Sequence, residues 1–233
     1  MIRAFYTARS SLVSQQTNLN TIANNVANVN TTGFKPQQVN FSSLIYDNIN
    51  GGAANSISVG HGVKVGKLGL DFEQGVQNQT NMPMDCAIIG PGFFAIEDRE
   101  SGEITFTRDG NFKKSIERSR VYLVDSKGDY VLNDRMRRIE IEEGFDHKEI
   151  GVFDFDNRYG LQLVGGNRFA ATDESGNAER VRDPNVKVGF LENSAVQLSK
   201  EIVKMIEASK GFSLGSRVIH TTDEMEKIIN QLR

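Results

Sequence analysis

The sequence lacks tryptophan and has one cysteine, three histidines and four prolines among its 233 residues. The single cysteine, Cys86, excludes an intrachain disulfide framework and a multi-cysteine metal site, and we predict that it is a buried thiol. No run approaches the ~18 apolar residues of a membrane-spanning helix, so membrane insertion is not expected. The formal net charge is only −3, which argues against nucleic acid and other polyanions as partners.

The first sixteen residues have neither a continuous apolar segment nor a small-residue cleavage site. They therefore do not have the pattern of a general secretory signal. If the protein leaves the cytoplasm, we expect a route that leaves its N-terminus intact.

The segment from Ser10 to Phe34 contains no charged residue. The segment nevertheless has helical periodicity, with apolar residues seven positions apart at Phe5, Leu12, Leu19 and Val26. This spacing predicts a helix over residues 3–29. The turn that follows contains Gly33, a left-handed stop, and Pro36 prevents the helix from resuming.

The remaining faces of this predicted helix carry glutamine and asparagine where a solvated helix would carry lysine and glutamate. Asparagine is a mediocre helix former, because its side chain competes for backbone hydrogen bonds. We therefore expect other protein to pack on several sides of the helix and to bind its amides.

Residues 37–60 show no single period. Phe41, Leu44, Ile45 and Tyr46 could anchor a short element. The segment from Asn50 to Ser58 is rich in glycine, alanine, asparagine and serine, and predicts a loop that is mobile without a partner.

From about Val59 to Val188 the period changes to two, with short apolar runs between glycine, aspartate and asparagine turns. No long helix separates the runs, so we predict a mainly antiparallel β domain. The segment from Met84 to Gly90, with Phe93 and Phe94, is expected in its core. The predicted strands are Val63–Leu70, Cys86–Ile89, Phe93–Ile96, Ile104–Thr107, Val121–Val124, Tyr130–Leu132, Ile139–Ile141 and Val152–Phe155.

Helical periodicity returns after this region. Ser194 and Gln197 form a capping-box pattern, which predicts a helix that begins at Ser194. Gly211 and Gly215 weaken that helix and indicate a bend or a close helix–helix contact. Its apolar seam is Leu198, Ile202, Met205, Ile206, Phe212, Val218, Ile219, Met225, Ile228 and Leu232.

Residues that could perform catalysis are few. His61, His147 and His220 are far apart and accompany no recognisable nucleophile motif. Asp154 and Asp156 miss the spacing of a calcium loop, so turn carboxylates are the better interpretation. We predict no catalytic residue, no metal site and no cofactor.

Two further charged segments have simple interpretations. The run from Arg135 to Arg138 is a solvated face, or alternatively a contact with a neighbouring protein. Arg108, Asp109 and Gly110 are most simply a turn.

Several long motifs resemble one protein family. ANNVANVNTTGFK, residues 23–35, is similar to the N-terminal signature of the bacterial flagellar rod, hook and hook-associated (axial) proteins. TRDGNF, residues 107–112, resembles the central motif of the family. Residues 150–177 are similar to its last β segment, and residues 188–232 to its C-terminal helix. The resemblance covers nearly the whole chain and is greatest for a distal rod protein, with proximal rod or hook-type proteins as the alternative.

The resemblance implies an α+β fold in which N- and C-terminal helices pair as a coiled-coil-like rod domain with an inserted, mainly antiparallel β domain. The expected division is 1–35 for the N-terminal helix, 36–60 for an extended or flexible connector, 61–188 for the outer β domain and 189–233 for the C-terminal helix. The expected function is a structural subunit of the flagellar basal-body rod, the hollow, periplasm-spanning shaft that transmits torque from motor to hook.

The resemblance also implies partners. They are copies of the chain, other rod and hook proteins, the flagellar type III export apparatus and the surrounding bushing ring. The residues expected at assembly contacts are Leu12, Leu19, Ile22, Asn24, Asn25, Val26, Asn28, Gly33, Phe34, Leu198, Ile202, Met205, Ile206, Phe212, Ile219 and Met225. The competing class is a ligand-binding or catalytic β domain with helical oligomerisation tails.

Overall fold

The structure, a computed structural model, describes residues 2–50, 56–117, 120–141 and 146–232. Two sets of residues form separate compact units. The first, which we call the helical unit, comprises Met1–Ala27, Gln37–Asp71 and Gln197–Arg233. The second, the β unit, comprises Asn28–Pro36 and Phe72–Val196.

The helical unit contains both α-helices and a pair of two-stranded antiparallel ribbons. Strand β1 pairs with β4, and β2 pairs with β3. Its elements are α1 (Ile2–Ala27), β1 (Gln37–Ser43), β2 (Tyr46–Asn50), β3 (Ser56–Gly60), β4 (Val63–Leu70) and α2 (Leu198–Gln231).

The β unit contains the remaining strands, and every strand pair among its described residues is antiparallel. Its strands are β5 (Gln77–Gln79), β6 (Cys86–Ile89), β7 (Phe93–Glu97), β8 (Ile104–Thr107), β9 (Lys113–Glu117), β10 (Arg120–Val124), β11 (Tyr130–Val131), β12 (Val152–Asp154), β13 (Gln162–Gly165), β14 (Arg168–Ala170), β15 (Glu179–Arg180), β16 (Asn185–Val188) and β17 (Phe190–Glu192). Short 3-10 turns lie at His147–Glu149 and Arg158–Gly160.

The predicted N-terminal helix is present as α1, which ends at Ala27, two residues earlier than expected. The predicted left-handed stop is confirmed, because Gly33 has φ 64°. The α+β class with mainly antiparallel sheets is also confirmed.

The prediction for residues 37–60 is wrong in part. Instead of one short element and a loop, these residues form β1, β2 and β3, and Ser56–Gly60 pairs with Tyr46–Asn50. The centre of the predicted loop, residues 51–55, lies outside the described residues. The pairing of β1 with β4 groups residues 37–71 with the helices, whereas the predicted division placed residues 61–71 in the outer domain.

The capping box predicted at Ser194 is wrong. Helix α2 begins at Leu198, and the N-cap residue Gln197 makes no side-chain capping bond. The Ser194 hydroxyl instead accepts a hydrogen bond from the backbone N–H of Val196, at 3.3 Å. Strand β17, which ends at Glu192, occupies residues that the predicted division assigned to the helix.

The two helices lie side by side in opposite directions. A Cβ atom on Gly215 would lie 3.1 Å from Leu12, and one on Gly211 would lie 3.2 Å from Gln15. Farther along, the Asn25 amide bonds to Glu201. Since positions rise along α1 as they fall along α2, the pair is antiparallel. The close contacts at both glycines agree with the helix–helix alternative that the sequence left open, and α2 continues unbroken through them.

The β unit has a closed core of aromatic and aliphatic side chains. Phe94 and Cys86 are fully buried, and the ring of Phe94 packs edge-on against Phe112 at 5.1 Å between centroids. Burial, with a smaller contribution from the Asp85 carboxylate, raises the pKa of the Cys86 thiol to about 12. The predicted buried thiol and the predicted core segment are therefore confirmed.

Other strand predictions were incomplete. Residues 139–141 form no regular strand, and the segment joins the sheet through isolated bridges at Arg138 and Glu140 and through backbone hydrogen bonds of Ile139 and Ile141. Strands β5, β9 and β13 to β17 were missed. Most of them are short and largely exposed, so their sequences lack the apolar alternation that predicts a strand. Strands β14 and β17 are mostly buried but have only three residues each, which is too short to show that alternation.

Candidate assembly interface

The predicted assembly residues of α1 do not share one environment. Ile22 and Asn25 are buried within the helical unit, and Asn24 is exposed. Leu12, Leu19 and Val26 are half-buried. Most of the α1 seam therefore contributes to packing inside the chain.

Asn25 shows how the charge-free face of α1 is used. Its side-chain amide donates to the backbone carbonyl of Gln37 at 2.8 Å and to the Glu201 carboxylate at 3.1 Å. Its carbonyl oxygen accepts from the Gln37 N–H at 2.9 Å. One side chain thus connects α1, β1 and α2, because a buried amide needs partners for both its donor and its acceptor.

The sequence predicted that other protein packs against α1, and part of that packing comes from the same chain. The β1–β4 ribbon contacts α1, and the Ser14 hydroxyl donates to the carbonyl of Val63 on β4 at 3.4 Å. Ser14 and Thr21 are buried.

On α2 the predicted seam divides into two faces. Met205, Phe212 and Ile219 are half-buried and share a face with Glu201 and Ala208, which are buried. The glycines at 211 and 215 lie on the same face and admit close approach of α1. These residues hold the helix pair together.

The second face of α2 is apolar and exposed to solvent. It includes the predicted residues Leu198, Ile202, Ile206 and Met225, each 44–53% exposed. Leu198, Ile202 and Ile206 are spaced by four, and the spacing resumes at Leu214 after an interruption at Lys210. The exposed apolar residues of α2 that complete the set are Val203, Leu214, Val218, Ile228, Ile229 and Leu232.

We call the residues Leu198, Ile202, Ile206, Leu214 and Val218 the outer row. Side chains four residues apart form the ridges that insert into the grooves of a neighbouring helix. Exposed apolar residues in such a row, here interrupted once by Lys210, are typical of an interaction surface. The outer row is therefore suited to packing against another helix.

Three predicted residues, Asn28, Gly33 and Phe34, belong to the β unit. The N–H of Gly33 donates to the backbone carbonyl of Glu192 at 2.7 Å. A Cβ atom on Gly33 would lie 2.5 Å from the carbonyl carbon of Arg108, so no larger residue fits without a backbone shift. Gly33 and the buried Phe34 thus have internal roles.

The β unit also contains a buried charged cluster that the sequence analysis missed. Lys35 and Glu192 are each 2% exposed, and Lys35 Nζ lies 2.6 Å from Glu192 Oε1. Arg108 Nη1 approaches the other carboxylate oxygen at 3.2 Å. Burial lowers the pKa of the Arg108 guanidinium, while the Glu192 carboxylate opposes that shift.

This cluster, Lys35–Glu192–Arg108, makes further hydrogen bonds, although Arg108 Nε is buried with no hydrogen-bond partner among the described residues. Lys35 also donates to the carbonyl of Glu73 at 2.7 Å, and Arg108 donates to the carbonyl of Gly90 at 2.7 Å. Additional hydrogen bonds of this kind offset part of the cost of burying charged groups. The cluster joins the segment after α1, the segment before α2 and the TRDGNF motif within one unit.

Two features of the sequence could have indicated this charged cluster. Lys35 is the first charged residue after the charge-free stretch, and Arg108 lies in a motif that we interpreted only as a turn. The neighbouring Asp109 accepts a hydrogen bond from the Thr32 hydroxyl at 2.7 Å. Burial raises the pKa of Asp109, and this hydrogen bond opposes the shift.

An open polar cleft of about 820 Å³ lies on the β unit. Its arginines pair with glutamates: Arg138 makes two 2.9 Å bonds to Glu97, and Arg120 lies 2.8 Å from Glu140. The described side chains include no group of three or more residues able to hold a metal ion. The Arg135–Arg138 run contributes only Arg138 to the cleft lining.

No helix within the described ranges is long and apolar enough to cross a membrane.

Comparison with protein-family models places these features in a known class. Residues 5–35 match the flagella basal body rod protein model, and residues 187–232 match the flagellar basal body rod FlgEFG protein C-terminal model. Residues 87–153 match the flagellar hook protein FlgE/F/G D1 domain. The helical ends and the β region together define an axial protein of the bacterial flagellum.

Curated relatives refine the class. The flagellar basal-body rod protein FlgG of Borreliella burgdorferi is 34% identical, and the alignment covers 100% of this chain and 99% of the relative. FlgG of Bacillus subtilis is 32% identical with full coverage of both chains. The flagellar hook-basal body complex protein FlhP of B. subtilis is 26% identical, also over both full lengths.

The chain belongs to the family of flagellar basal-body rod proteins, and its function is that of a structural subunit of the rod. The resemblance inferred from the terminal motifs is confirmed.

Proposed function

We propose that this subunit assembles helically with copies of itself and with other axial proteins to form the hollow drive shaft of the flagellum. In this proposal its position is the distal rod, as the similarity to proteins named FlgG suggests. The chain acts through protein surfaces rather than as an enzyme, and it needs no cofactor.

The observation that carries the proposal is the outer row of α2. A helix that packs on one partner hides its apolar residues on one face, but here large apolar residues remain exposed on a second face. Burying Leu198, Ile202 and Ile206 against a neighbouring helix would contribute about 25 cal/mol per Å² of apolar area removed from water. Assembly would therefore stabilise the outer row.

We also propose that the subunit passes unfolded through the flagellar type III export channel without loss of a signal peptide. The same proposal places the subunit in a periplasm-spanning shaft and includes the surrounding bushing ring among its partners. The support for these partners and for this placement is family membership.

The proposal can be tested by replacing Ile202, Ile206 and Leu214 together with serine. Because all three are exposed in the single chain, we expect the purified variant to unfold within about 1 kcal/mol of the parent. Basal bodies from cells expressing it should lack this subunit, and swimming in soft agar should be lost.

The matched control replaces exposed cations of the same helix, Lys200, Lys210 and Arg217, with serine. This variant should still assemble. Deletion of residues 1–27 provides a second test, since it removes α1 and leaves the segment 28–36 in the β unit. Normal rods and motility in the serine variant or in the deletion strain would contradict the proposal and favour a ligand-binding role for the β unit.

A further inference from the structure

The helical unit contains a second apolar surface, an open groove of about 520 Å³ between α1 and the β1–β4 ribbon. We call it the ribbon groove. Its apolar lining comprises Tyr6 and Val13 from α1, and Leu44, Val63 and Val65 from the strands and the residue that follows β1. Tyr6 and Val13 are 57% and 61% exposed, so the groove is open to solvent in the single chain.

The ribbon groove faces away from α2. Tyr6, Val13 and Thr17 lie on one side of α1, whereas Leu12 and Gln15 approach α2 on the other. The groove is therefore separate from the helix-pair contact.

Each wall of the ribbon groove carries an exposed cation. Arg9 lies on the α1 wall and Lys64 on the β4 wall. Among the side chains that the structure describes, no carboxylate forms an ion pair with either of them. A complementary occupant would be an apolar ridge with a carboxylate on each side.

The C-terminal end of α2 has this pattern. The antiparallel register places Gly215 near Leu12 and Glu201 near Asn25, so the first described residue of α1 lies level with residue 224 or 225 of α2. Residues 225–232, which are the last two turns of α2 and its C-cap residue Leu232, extend beyond the described part of α1. We call them the overhang, and their apolar residues Met225, Ile228, Ile229 and Leu232 are 46–84% exposed.

Carboxylates flank the apolar side of the overhang. At about 100° per residue, Glu224 and Glu226 fall on opposite sides of the ridge formed by Met225 and Leu232. The one nearby cation among the described residues, Lys227, pairs with Asp223 at 2.9 Å on the far face of the helix. The overhang thus presents two carboxylates to a surface that carries two cations.

Building on the assembly proposed above, we infer that the overhang of one copy docks into the ribbon groove of a second copy. The overhang continues the α2 axis past α1, and the groove faces away from α2, so the contact forms between chains. Different surfaces of each copy meet, which makes the interface heterologous. Repetition of such a contact without closure produces a filament rather than a ring.

The inference can be tested by disulfide cross-linking between two single variants of the full-length chain. Val13→Cys places a thiol in the ribbon groove, and Ile229→Cys places one on the overhang. Cells expressing both variants should yield rods in which oxidation links the two into a covalent dimer. Native Cys86 will not interfere, because it is fully buried.

Two matched pairs serve as controls. Ala23→Cys is exposed on α1 beyond the groove, and Lys210→Cys is exposed on α2 before the overhang. Neither Ala23→Cys with Ile229→Cys nor Val13→Cys with Lys210→Cys should form the dimer. Rods that contain both test variants without the cross-link would overturn the docking inference while leaving the assembly proposal intact. Failure of the unmodified chain to enter rods would overturn both.

Charge reversal provides a second test that does not depend on cysteines. Arg9→Glu with Lys64→Glu should weaken association of the purified chains at low salt at least about tenfold, and Glu224→Lys with Glu226→Lys should do the same. In a mixture of the two variants, the acidic groove of one faces the basic overhang of the other. The mixture should therefore recover most of the association seen with the parent chain. Raising the salt concentration should reduce the difference. Equal association of all these proteins would contradict the inference.

Discussion

The β unit and the helical unit differ in how deeply they bury their large apolar residues. In the β unit, Phe93, Phe94 and Phe169 are at most 1% exposed. In the helical unit, apolar residues such as Ile206 and Leu214 are half exposed or more. The β unit therefore closes its own core, whereas the helical unit retains apolar surface for a partner.

Buried carboxylates differ from these apolar residues, because each unit contains one that side chains of the same unit bind. Glu192 is bound by Lys35 and Arg108 in the β unit, and Glu201 is bound by Asn25 and Lys204 in the helical unit. Polar contacts thus specify each unit in the single chain, while the helical unit carries a row of exposed apolar residues along α2.

The largest expected loss of stability comes from a substitution in the closed core of the β unit. Phe94→Ala should destabilise the β unit by about 3–5 kcal/mol, since it removes a fully buried ring that packs on Phe112. Urea unfolding followed by circular dichroism measures this loss. The control Ile116→Ala, at a site 77% exposed, should change stability by less than about 0.5 kcal/mol. Similar values for the two variants would show that the core is not closed as described.

The next effect concerns the buried charged cluster. Glu192→Gln should destabilise the protein by about 3 kcal/mol, because Lys35 and Arg108 would remain buried without a carboxylate. Glu179→Gln, on the exposed strand β15, is the matched control and should have little effect. Both are measured by thermal unfolding at neutral pH. An unchanged melting temperature for Glu192→Gln would show that the cluster does not hold the unit together.

A smaller effect is expected at the turn after α1. Gly33→Ala should cost about 1–3 kcal/mol, because the residue has positive φ and its Cβ would meet the Arg108 carbonyl. Gly102→Ala separates the cost of positive φ from the cost of the close approach. Gly102 has φ 71°, but no atom lies within 4 Å of an added Cβ. Chemical denaturation should show a larger loss for Gly33→Ala. Equal losses would mean that the close approach contributes nothing.

The smallest effect is a pH dependence of the β unit. The hydrogen bonds from Arg138 lower the pKa of Glu97 below its ordinary value. A carboxylate with a lowered pKa in the folded state stabilises the fold above its ordinary pKa, and that stabilisation is lost as the pH falls through the folded-state pKa. Urea midpoints measured from neutral pH to about pH 3 should therefore fall less steeply for Glu97→Gln than for the parent. Parallel pH profiles would rule out this contribution.

Several elements could be predicted because local sequence decides them. Helix α1 follows from its seven-residue apolar spacing, and β4, β6 and β8 occupy the predicted residues because each run is bounded by turn residues. The antiparallel arrangement follows from the lack of crossover helices.

Other features depend on residues far apart in sequence and could not be predicted. The start of α2 was misplaced because Ser194 hydrogen-bonds to Val196 in the segment that follows β17, a local alternative to capping. The β1–β4 ribbon was missed because its pairing covers α1 rather than joining the large sheet. Asn25 was expected at an intermolecular contact, but its amide is used by Gln37 and Glu201.

The sequence by itself determined the family, the two terminal helices and the apolar character of their seams, since each depends on residues close together along the chain. Only the tertiary structure decided which seam residues are used within the chain and which remain exposed. That choice depends on the register between α1 and α2, which Gly211, Gly215 and the Asn25–Glu201 bond set across nearly the full length of the chain. A helical pattern specifies that a face is apolar, but the partner that covers it is specified by three-dimensional packing.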